Sequence, residues 1–519
     1  MPIRMVDDPQ DPKRNNTNNN KKRGGVPPAL LLLLPSLLKF LFKRPKLLIG
    51  VIVIAGLFYF FGGNLTPEQP SSIAEEEVSA DFSTGLNMSQ EMYDKSEIFE
   101  PLVAGYKNQL PSQVSLEQYC PDRLNQGSQG SCVGWSSSYA ARTILESRNS
   151  GLPPNQVAFS PSSLYNQIRL PNCQGAYIHT AMKVMKERGV LPFQEFKYNQ
   201  YDCERTPSRN QMSRANQFRT RGFQRLWENE GGTDILAIKQ NIAQGAPVVV
   251  GMLVGGSFMN AMQGKAVWRP TRTDYRMRGF GGHAMCLVGY DDNKEGGAFQ
   301  IMNSWGENWG DDGFCWVRYS DFEHFTREAY GLYPMGNAER NDPNKLAVDF
   351  GLVENSSMSN IPLSMAGQHN GVALFRTSRA VPKGTRFKIE VSNSVECYVY
   401  IIGEETDGSN YVLFPYTEKH SPYCGITGTR LFPRNQSLMI DDLGSRDRMA
   451  VIVSKVPLDI NYLNTVLNQI RGTFLQDLTQ VLEPYTIRQV KFQSGNVIHF
   501  DAITDGNKAV AMLIEVDKN

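Results

Sequence analysis

The most constraining feature of this chain is an apolar run without a charged residue, LLIGVIVIAGLFYFFGG, at positions 47–63. A helix that has no polar face cannot rest on the surface of a soluble domain, and the run is just long enough to cross a bilayer. A buried core helix is the alternative, but we expect a transmembrane helix. Residues 30–42, which contain Pro35 and Lys39, are expected to lie along the membrane interface.

The charges on either side of the run predict its orientation. Residues 1–46 are basic and rich in Asn, a composition that cannot bury a core, and we expect a disordered cytoplasmic tail. The rest of the chain is expected outside the cytoplasm, as in a periplasm, and held by a single-pass anchor because no small-residue cleavage site follows the run. The flanking charges are Lys39, Lys43, Arg44 and Lys46 before the run and Glu68, Glu75, Glu76, Glu77 and Asp81 after it.

Length and composition divide the remainder of the chain. A total of 519 residues exceeds one ordinary core and predicts two folded domains, 111–336 and 347–519. The acidic stretch 64–110 before them is interpreted as a spacer with one short helix near 89–100, or alternatively as a brief inhibitory pro-segment. The net charge of +1 gives no electrostatic reason to expect a nucleic-acid partner.

The eight cysteines gain meaning from the expected compartment, because disulfides persist outside the cytoplasm. None belongs to a C-x-x-C pair and none has zinc-ligand spacing with a histidine, so no metal site is predicted. Cys397 and Cys424 flank strand-rich sequence and are equally well explained as bridged or as free.

Hydrophobic periodicity in residues 111–336 places helices before strands, which predicts an α+β domain with a helical half facing a sheet half. A site between such halves would draw residues from both. Residues 347–519 are predicted to form a β-rich α+β domain with a helical period at 459–481 and without a catalytic motif. The predicted helices of the first domain are 132–147, 177–189 and 233–244, and its predicted strands are 247–255, 283–292, 297–305 and 313–319.

The stretch NQGSQGSCVGW at positions 125–135 carries the densest chemical signal. Cys132 opens a predicted helix, where the helix dipole favours a thiolate and the uncommitted N–H groups can bind an oxyanion. Gln126 lies on the preceding loop and could supply a second oxyanion donor. A small residue such as Ser131 would let a peptide backbone approach closely. The alternative is that Cys132 is a buried structural cysteine.

A cysteine nucleophile needs a base, and His283 is the best placed of the six histidines because it opens a strand after two glycines. Asn303 ends the neighbouring predicted strand and could orient the imidazole without titrating. Trp305 could shield that hydrogen bond from water. The alternative is that His283 is a core histidine with satisfied hydrogen bonds.

Three separate motifs, NQGSQGSC, GGHAMCLVGY and NSWGENWGDDGF, follow in this order and resemble the papain-like cysteine peptidases over residues 110–335. The resemblance implies a two-lobed fold, with a helical lobe and an antiparallel β lobe, and hydrolysis of peptide bonds. The implied roles are nucleophile for Cys132, base for His283, orienting amide for Asn303, oxyanion donor for Gln126, and substrate binding for Gly175 and Ala176, with Ser131 and Trp305 completing the substrate-binding set.

The chain departs from the family pattern at several positions. Gln129 stands where members carry a cysteine that is bonded to one at the position of Cys173, so Cys173 is either free or paired elsewhere, with Cys203 the candidate. Val133 follows the nucleophile in place of a tryptophan, and Ala176 replaces the second of two glycines. These changes bear on substrate fit more than on the catalytic residues.

The sequence therefore predicts a membrane-anchored thiol endopeptidase that acts on proteins or peptides outside the cytoplasm, without a metal or an organic cofactor. Two alternatives stay open. The same three residues could serve an amidase or transpeptidase of cell-wall peptides. The chain could also be mainly an assembly component of an envelope complex, in which the C-terminal domain docks a protein partner and the peptidase domain is regulatory or vestigial.

Overall fold

The structure, a computed structural model, describes residues 3–8, 82–229, 232–333, 344–504 and 508–519. The predicted transmembrane run and most of the predicted tail lie outside these ranges. Within the described ranges, no helix combines the length and the apolar character that a membrane crossing requires.

The helices alternate with strands only in part of the chain. The α-helices are α1 (Gln90–Asp94), α2 (Cys132–Gly134), α3 (Thr143–Ser150), α4 (Pro161–Ile168), α5 (Ile178–Glu187), α6 (Arg209–Ala215), α7 (Ile235–Ala243), α8 (Gly256–Asn260), α9 (Tyr319–Phe325), α10 (Ile460–Leu467) and α11 (Phe474–Leu482). A π-helical stretch, Trp135–Arg142, joins α2 to α3, and short 3-10 turns lie at Glu117–Tyr119, Pro154–Gln156, Pro171–Cys173, Asn216–Phe218, Asp274–Arg276 and Lys294–Gly296.

The strands form three sheets. Those before residue 340 are β1 (Ile3–Asp7), β2 (Gln113–Ser115), β3 (Phe223–Arg225), β4 (Val248–Val254), β5 (Val267–Trp268), β6 (Gly281–Asp291), β7 (Ala298–Met302), β8 (Phe314–Arg318) and β9 (Thr326–Leu332). The later strands are β10 (Lys345–Glu354), β11 (Asn360–Ile361), β12 (Leu363–His369), β13 (Val372–Thr377), β14 (Arg386–Asn393), β15 (Cys397–Glu404), β16 (Asn410–Phe414), β17 (Tyr423–Cys424), β18 (Gly428–Phe432), β19 (Gln436–Ile440), β20 (Arg446–Ser454), β21 (Lys491–Gln493), β22 (Ile498–Ile503) and β23 (Ala509–Asp517).

The first domain has the predicted α+β organisation. Its sheet has the order β3-β9-β4-β6-β7-β8-β5, and β2 pairs with β6. The continuous helical segment from Cys132 to Ser150 packs on this sheet and is buried along most of its length, which its small residues Ser136, Ser137 and Ala141 permit. A side chain at Gly134 would lie 2.7 Å from the carbonyl oxygen of Pro161, so glycine lets α4 approach the helix that begins at Cys132.

The C-terminal domain is a sandwich of two sheets with a helical layer on one side. One sheet has the order β1-β19-β14-β10-β22-β21, and the other has the order β12-β13-β23-β20-β15-β16. The sheets bury a common apolar core, while α10 and α11 cover the outer face of the second sheet. The helical period predicted at 459–481 is interrupted at 468–473, where the chain turns, so it forms two helices.

The prediction of a wholly disordered tail is wrong for the first few residues. Strand β1 pairs antiparallel with β19, with Asp7 opposite Gln436. Asp8 follows the strand and forms an ion pair with the nearly buried Lys388 at 2.8 Å. The physical reason is that β19 would otherwise be an edge strand with unpaired backbone groups, which an extended segment satisfies.

The spacer interpretation is also wrong for residues 82–110, because these residues pack on both domains. The side chains of Tyr93, Phe99 and Leu102 are buried. The helix predicted near 89–100 is confined to α1, and the residues after it continue in an extended conformation along β3, paired through Arg225.

Two cysteine predictions are answered by the geometry. Cys173 is bonded to Cys203, the candidate partner, across a Cα–Cα distance of 6.2 Å. Cys397 faces Cys424 across β15 and β17, and both are free thiols.

The pairing of β1 with β19 predicts a specific cross-link. In the variant Asp7→Cys/Gln436→Cys we expect a disulfide to form readily on mild oxidation, because the native side chains already approach to 3.1 Å. Proteolysis between residues 9 and 81 followed by non-reducing electrophoresis would show the N-terminal fragment still attached. The control Asp7→Cys/Ser437→Cys puts the second thiol on the opposite face of β19 and should cross-link poorly; equal yields from both variants would contradict the register.

Candidate active site

Cys132 lies at the start of the long helix and faces the sheet. Its sulfur accepts a hydrogen bond from the N–H of Ala284 at 3.4 Å, and the side chain is completely buried. Ala284 follows His283 in β6, so the first residue of the helix and the predicted base meet at the junction of the two halves. The helical half supplies the sulfur and the sheet half supplies the imidazole.

The ring of His283 is held on two sides. Its Nε2 lies 2.7 Å from Oδ1 of Asn303, which follows β7. The indole of Trp305 stacks on the imidazole with ring centroids 4.3 Å apart and an angle of 19° between the planes. The other ring nitrogen, Nδ1, is buried and makes no hydrogen bond to any residue in the described ranges. The asparagine thus fixes the ring through one nitrogen and leaves the other available for proton transfer.

The amide of Gln126 is oriented by a buried network. Its Oε1 accepts a hydrogen bond from the hydroxyl of Ser304 at 2.6 Å, and its Nε2 donates to the carbonyl of Gln129 at 2.9 Å. Tyr198 donates its hydroxyl to the carbonyl of Gln126 at 2.6 Å. With the oxygen bound to Ser304, the amide nitrogen points to the space beside Cys132.

That space is filled by the chain's own residues 82–88, which we call the cleft segment. The carbonyl of Ser83 accepts hydrogen bonds from Nε2 of Gln126 at 3.0 Å and from the indole N–H of Trp305 at 2.9 Å. The ring of Phe82 stacks on Trp305 at a centroid distance of 4.9 Å. One end of the cleft segment therefore occupies the predicted oxyanion donor.

The other end of the cleft segment pairs through its backbone. Ala176 donates its N–H to the carbonyl of Gly85 at 2.9 Å, and its carbonyl accepts the N–H of Asn87 at 3.0 Å, which forms a parallel bridge. Gly282, which precedes His283, accepts the N–H of Leu86 at 3.0 Å. The side chain of Leu86 is buried over Gly251, where an added Cβ would lie 2.6 Å from it.

Gly85 is the residue of the cleft segment that faces the sulfur. Its backbone N–H is directed at Cys132, and a Cβ on Gly85 would lie 2.1 Å from the carbonyl oxygen of Gly130. The nucleophile therefore meets an N–H group and no carbonyl carbon at this position. Only a residue without a side chain can come this close to the helix start.

Burial under the cleft segment keeps both reactive groups neutral. Burial raises the pKa of the Cys132 thiol to about 12, and this outweighs the hydrogen bond from Ala284, which lowers it. Burial likewise lowers the pKa of His283 to about 4, against a smaller opposite effect of Asn303. The thiolate expected from the helix dipole is thus suppressed in this closed arrangement, because neither charged form is solvated.

The remaining predicted residues divide into two groups. Ala176 binds the cleft segment, and Gly175, whose positive φ of 85° suits glycine, carries the chain past it. Ser131 does not act as predicted, since its buried hydroxyl pairs with that of Tyr198 at 2.8 Å and caps no ligand in the cleft. Its small size matters for packing beneath the cleft.

Three contributors were not singled out from the sequence. Ser304 orients Gln126, Tyr198 ties the loop of Gln126 to Ser131, and Gly282 offers its carbonyl to the cleft segment. The signal for Gly282 is its place directly before His283. For Ser304 and Tyr198, nothing in the local pattern indicates the partner, which lies far away in sequence. Within the described ranges, no cluster of three or more metal-binding side chains occurs.

Comparison with known proteins places this geometry. The sequence profile of the papain family of cysteine proteases matches residues 112–335. An uncharacterized peptidase C1-like protein of Acanthamoeba polyphaga mimivirus is 28% identical over 216 residues, which is 40% of this chain and 67% of that protein. Cathepsin K of Mus musculus is 26% identical over 238 residues, 45% of this chain and 66% of the cathepsin.

Among solved structures, xylellain, a cysteine protease from Xylella fastidiosa, is 22% identical and covers 52% of this chain and all of its own, with a TM-score of 0.42. The matched residues contain the cysteine, histidine and asparagine that the structure gathers beside the cleft. Residues 112–335 are a papain-family cysteine protease domain, and the chain is a cysteine peptidase of that family.

Proposed function

We propose that the chain hydrolyses peptide bonds with Cys132 as nucleophile, His283 as base and acid, and Asn303 as the group that orients the imidazole. The observation that carries the proposal is the junction of the two halves, where Asn303 holds Nε2 of His283 at 2.7 Å and the Cys132 sulfur binds the next residue of the same strand. Family membership makes a protein or peptide the substrate.

The reaction follows from these positions once the cleft is open. His283 takes the thiol proton, and the sulfur attacks the carbonyl carbon of the scissile bond. The oxyanion is stabilised by Nε2 of Gln126 and by the N–H of Cys132 at the helix start. His283 then protonates the leaving amine, and water, activated by the same imidazole, hydrolyses the acyl-enzyme.

We also propose that the cleft segment keeps the enzyme latent. It occupies the Gln126 amide, the Trp305 indole and the backbone groups of Ala176 at once, so a substrate cannot enter without displacing it. It resists cleavage because the sulfur faces the N–H of Gly85. The closed state holds a thiol and a neutral imidazole, which is the unreactive pairing.

A membrane location is a further part of the proposal. The charge-free run 47–63 supports an anchor, with residues 111–519 outside the cytoplasm. A single crossing puts residue 8 and residue 82 on opposite sides of a bilayer, whereas β1 pairs with β19 of the C-terminal domain. Because both cannot hold in one molecule, the Asp7→Cys/Gln436→Cys cross-link decides the topology when it is measured in intact membranes: a high yield excludes the single crossing.

The catalytic roles predict graded losses. Cys132→Ala should abolish both hydrolysis and labelling by an epoxide inhibitor of thiol peptidases. Gln126→Ala, made in a chain whose cleft segment has been released, should lower kcat by about 10²–10³-fold, the usual effect of losing one oxyanion donor. Both are measured with a fluorogenic peptide and active-site titration. Equal labelling of wild type and Cys132→Ala would remove the sulfur from the mechanism.

Latency predicts an activating substitution at Gly85. Gly85→Val introduces a side chain that collides with Gly130, and it should speed epoxide labelling of Cys132 by about 10- to 100-fold, since an overpacked contact costs about 1–3 kcal/mol. The matched control is Gly367→Val on the exposed strand β12, where the nearest atom to an added Cβ is 3.9 Å away. Unchanged labelling in Gly85→Val would show that the cleft segment is not inhibitory.

A further inference from the structure

The residues after α1 form a strap between the two domains, which we define as residues 94–108. The strap lies as an extended strand between β3 of the peptidase domain and residues 419–421 of the C-terminal domain. On the peptidase side, Phe99 donates its N–H to the carbonyl of Arg225 at 2.9 Å, and Arg225 donates to the carbonyl of Glu97 at 3.0 Å.

The other edge of the strap is paired by the C-terminal domain. Ile98 donates its N–H to the carbonyl of Lys419 at 2.7 Å and accepts the N–H of Ser421 at 3.0 Å. Val103 donates to the carbonyl of Thr429 at 3.0 Å. Successive residues of a strand point their backbone groups to opposite edges, so without these partners the outer edge of the strap would be unpaired.

Charged side chains add to this grip. Asp94, the last residue of α1, accepts a hydrogen bond from the buried Arg225 at 2.5 Å and one from Lys419 at 3.1 Å. The Arg225 guanidinium is the main reason that the pKa of Asp94 falls to about 2. The carboxylate of Glu97 accepts the hydroxyl of Ser421 at 2.5 Å. Each domain thus contacts the strap at the point where it joins α1.

The strap is coupled to the cleft through α1. Tyr93 of α1 is completely buried, and its ring makes an edge contact with that of Tyr330 at a centroid distance of 5.4 Å. The cleft segment ends at residue 88, directly before this helix, so it cannot swing far from Cys132 while α1 and the strap stay docked.

We propose that the C-terminal domain is the holder of the inhibitory segment: its residues 419–421 clamp the strap and thereby keep residues 82–88 in the cleft. This rests on the latency proposed above. It gives a role to a domain whose sequence carries no catalytic motif. The hold comes from the C-terminal side of the cleft segment, so loss of residues before 82 leaves the enzyme closed.

The test weakens the clamp in the full chain without touching the catalytic residues. Lys419→Ala/Ser421→Ala removes the contacts to Asp94 and Glu97, and we expect epoxide labelling of Cys132 to become about fivefold faster or more, as loss of an ion pair and of a hydrogen bond to a carboxylate implies. The control Glu418→Ala changes an exposed neighbour in the same loop and should label at the wild-type rate.

The outcomes separate the two proposals. If Gly85→Val accelerates labelling and the clamp variant does not, the role of the C-terminal domain is wrong while latency stands. If neither accelerates it, latency itself is wrong. Should the double variant fail to fold by circular dichroism, Glu97→Ala removes the same contact from the strap side, and wild-type labelling in that variant overturns the clamp.

Discussion

Backbone pairing between Gly85–Asn87 and Ala176, together with the carbonyl of Gly282, holds the cleft segment over the sulfur of Cys132. This pairing decides the state of the site. It brings the N–H of Gly85 to the nucleophile, places the Ser83 carbonyl on Gln126, and excludes water from the imidazole. The raised pKa of the thiol and the lowered pKa of the histidine are consequences of that exclusion, since a charged pair needs solvation or a protein partner.

The geometry beneath the segment is otherwise prepared for reaction. Asn303 and Trp305 fix the ring of His283, and Ser304 fixes the amide of Gln126, all through buried contacts that do not depend on the segment. Opening therefore requires no rebuilding of the site, only departure of residues 82–88. Preorganised donors of this kind act with little reorganisation during the reaction. Latency and readiness are thus properties of two separable parts of the chain.

Much of the site could be predicted from sequence, for physical reasons that lie in short segments. Cys132 follows a glycine-rich loop and opens a helix, and His283 opens a strand, so local pattern locates them. The C-terminal strands follow from β-branched runs in the same way. The cleft segment could not be predicted, because residues 82–88 are polar and small, and their binding depends on groups brought together from residues 126, 176 and 282. The same applies to β1, whose partner β19 lies more than 400 residues away in the chain.

The most direct measurement is the stoichiometry of epoxide labelling before and after a cut between the cleft segment and the strap. A recognition sequence for a site-specific protease, inserted at the exposed Lys95 of the full chain, provides that cut. The account predicts very little label on the uncut protein and one label per chain, on Cys132, after cleavage and dilution. Full labelling of the uncut protein, or none after the segment has left, would contradict it.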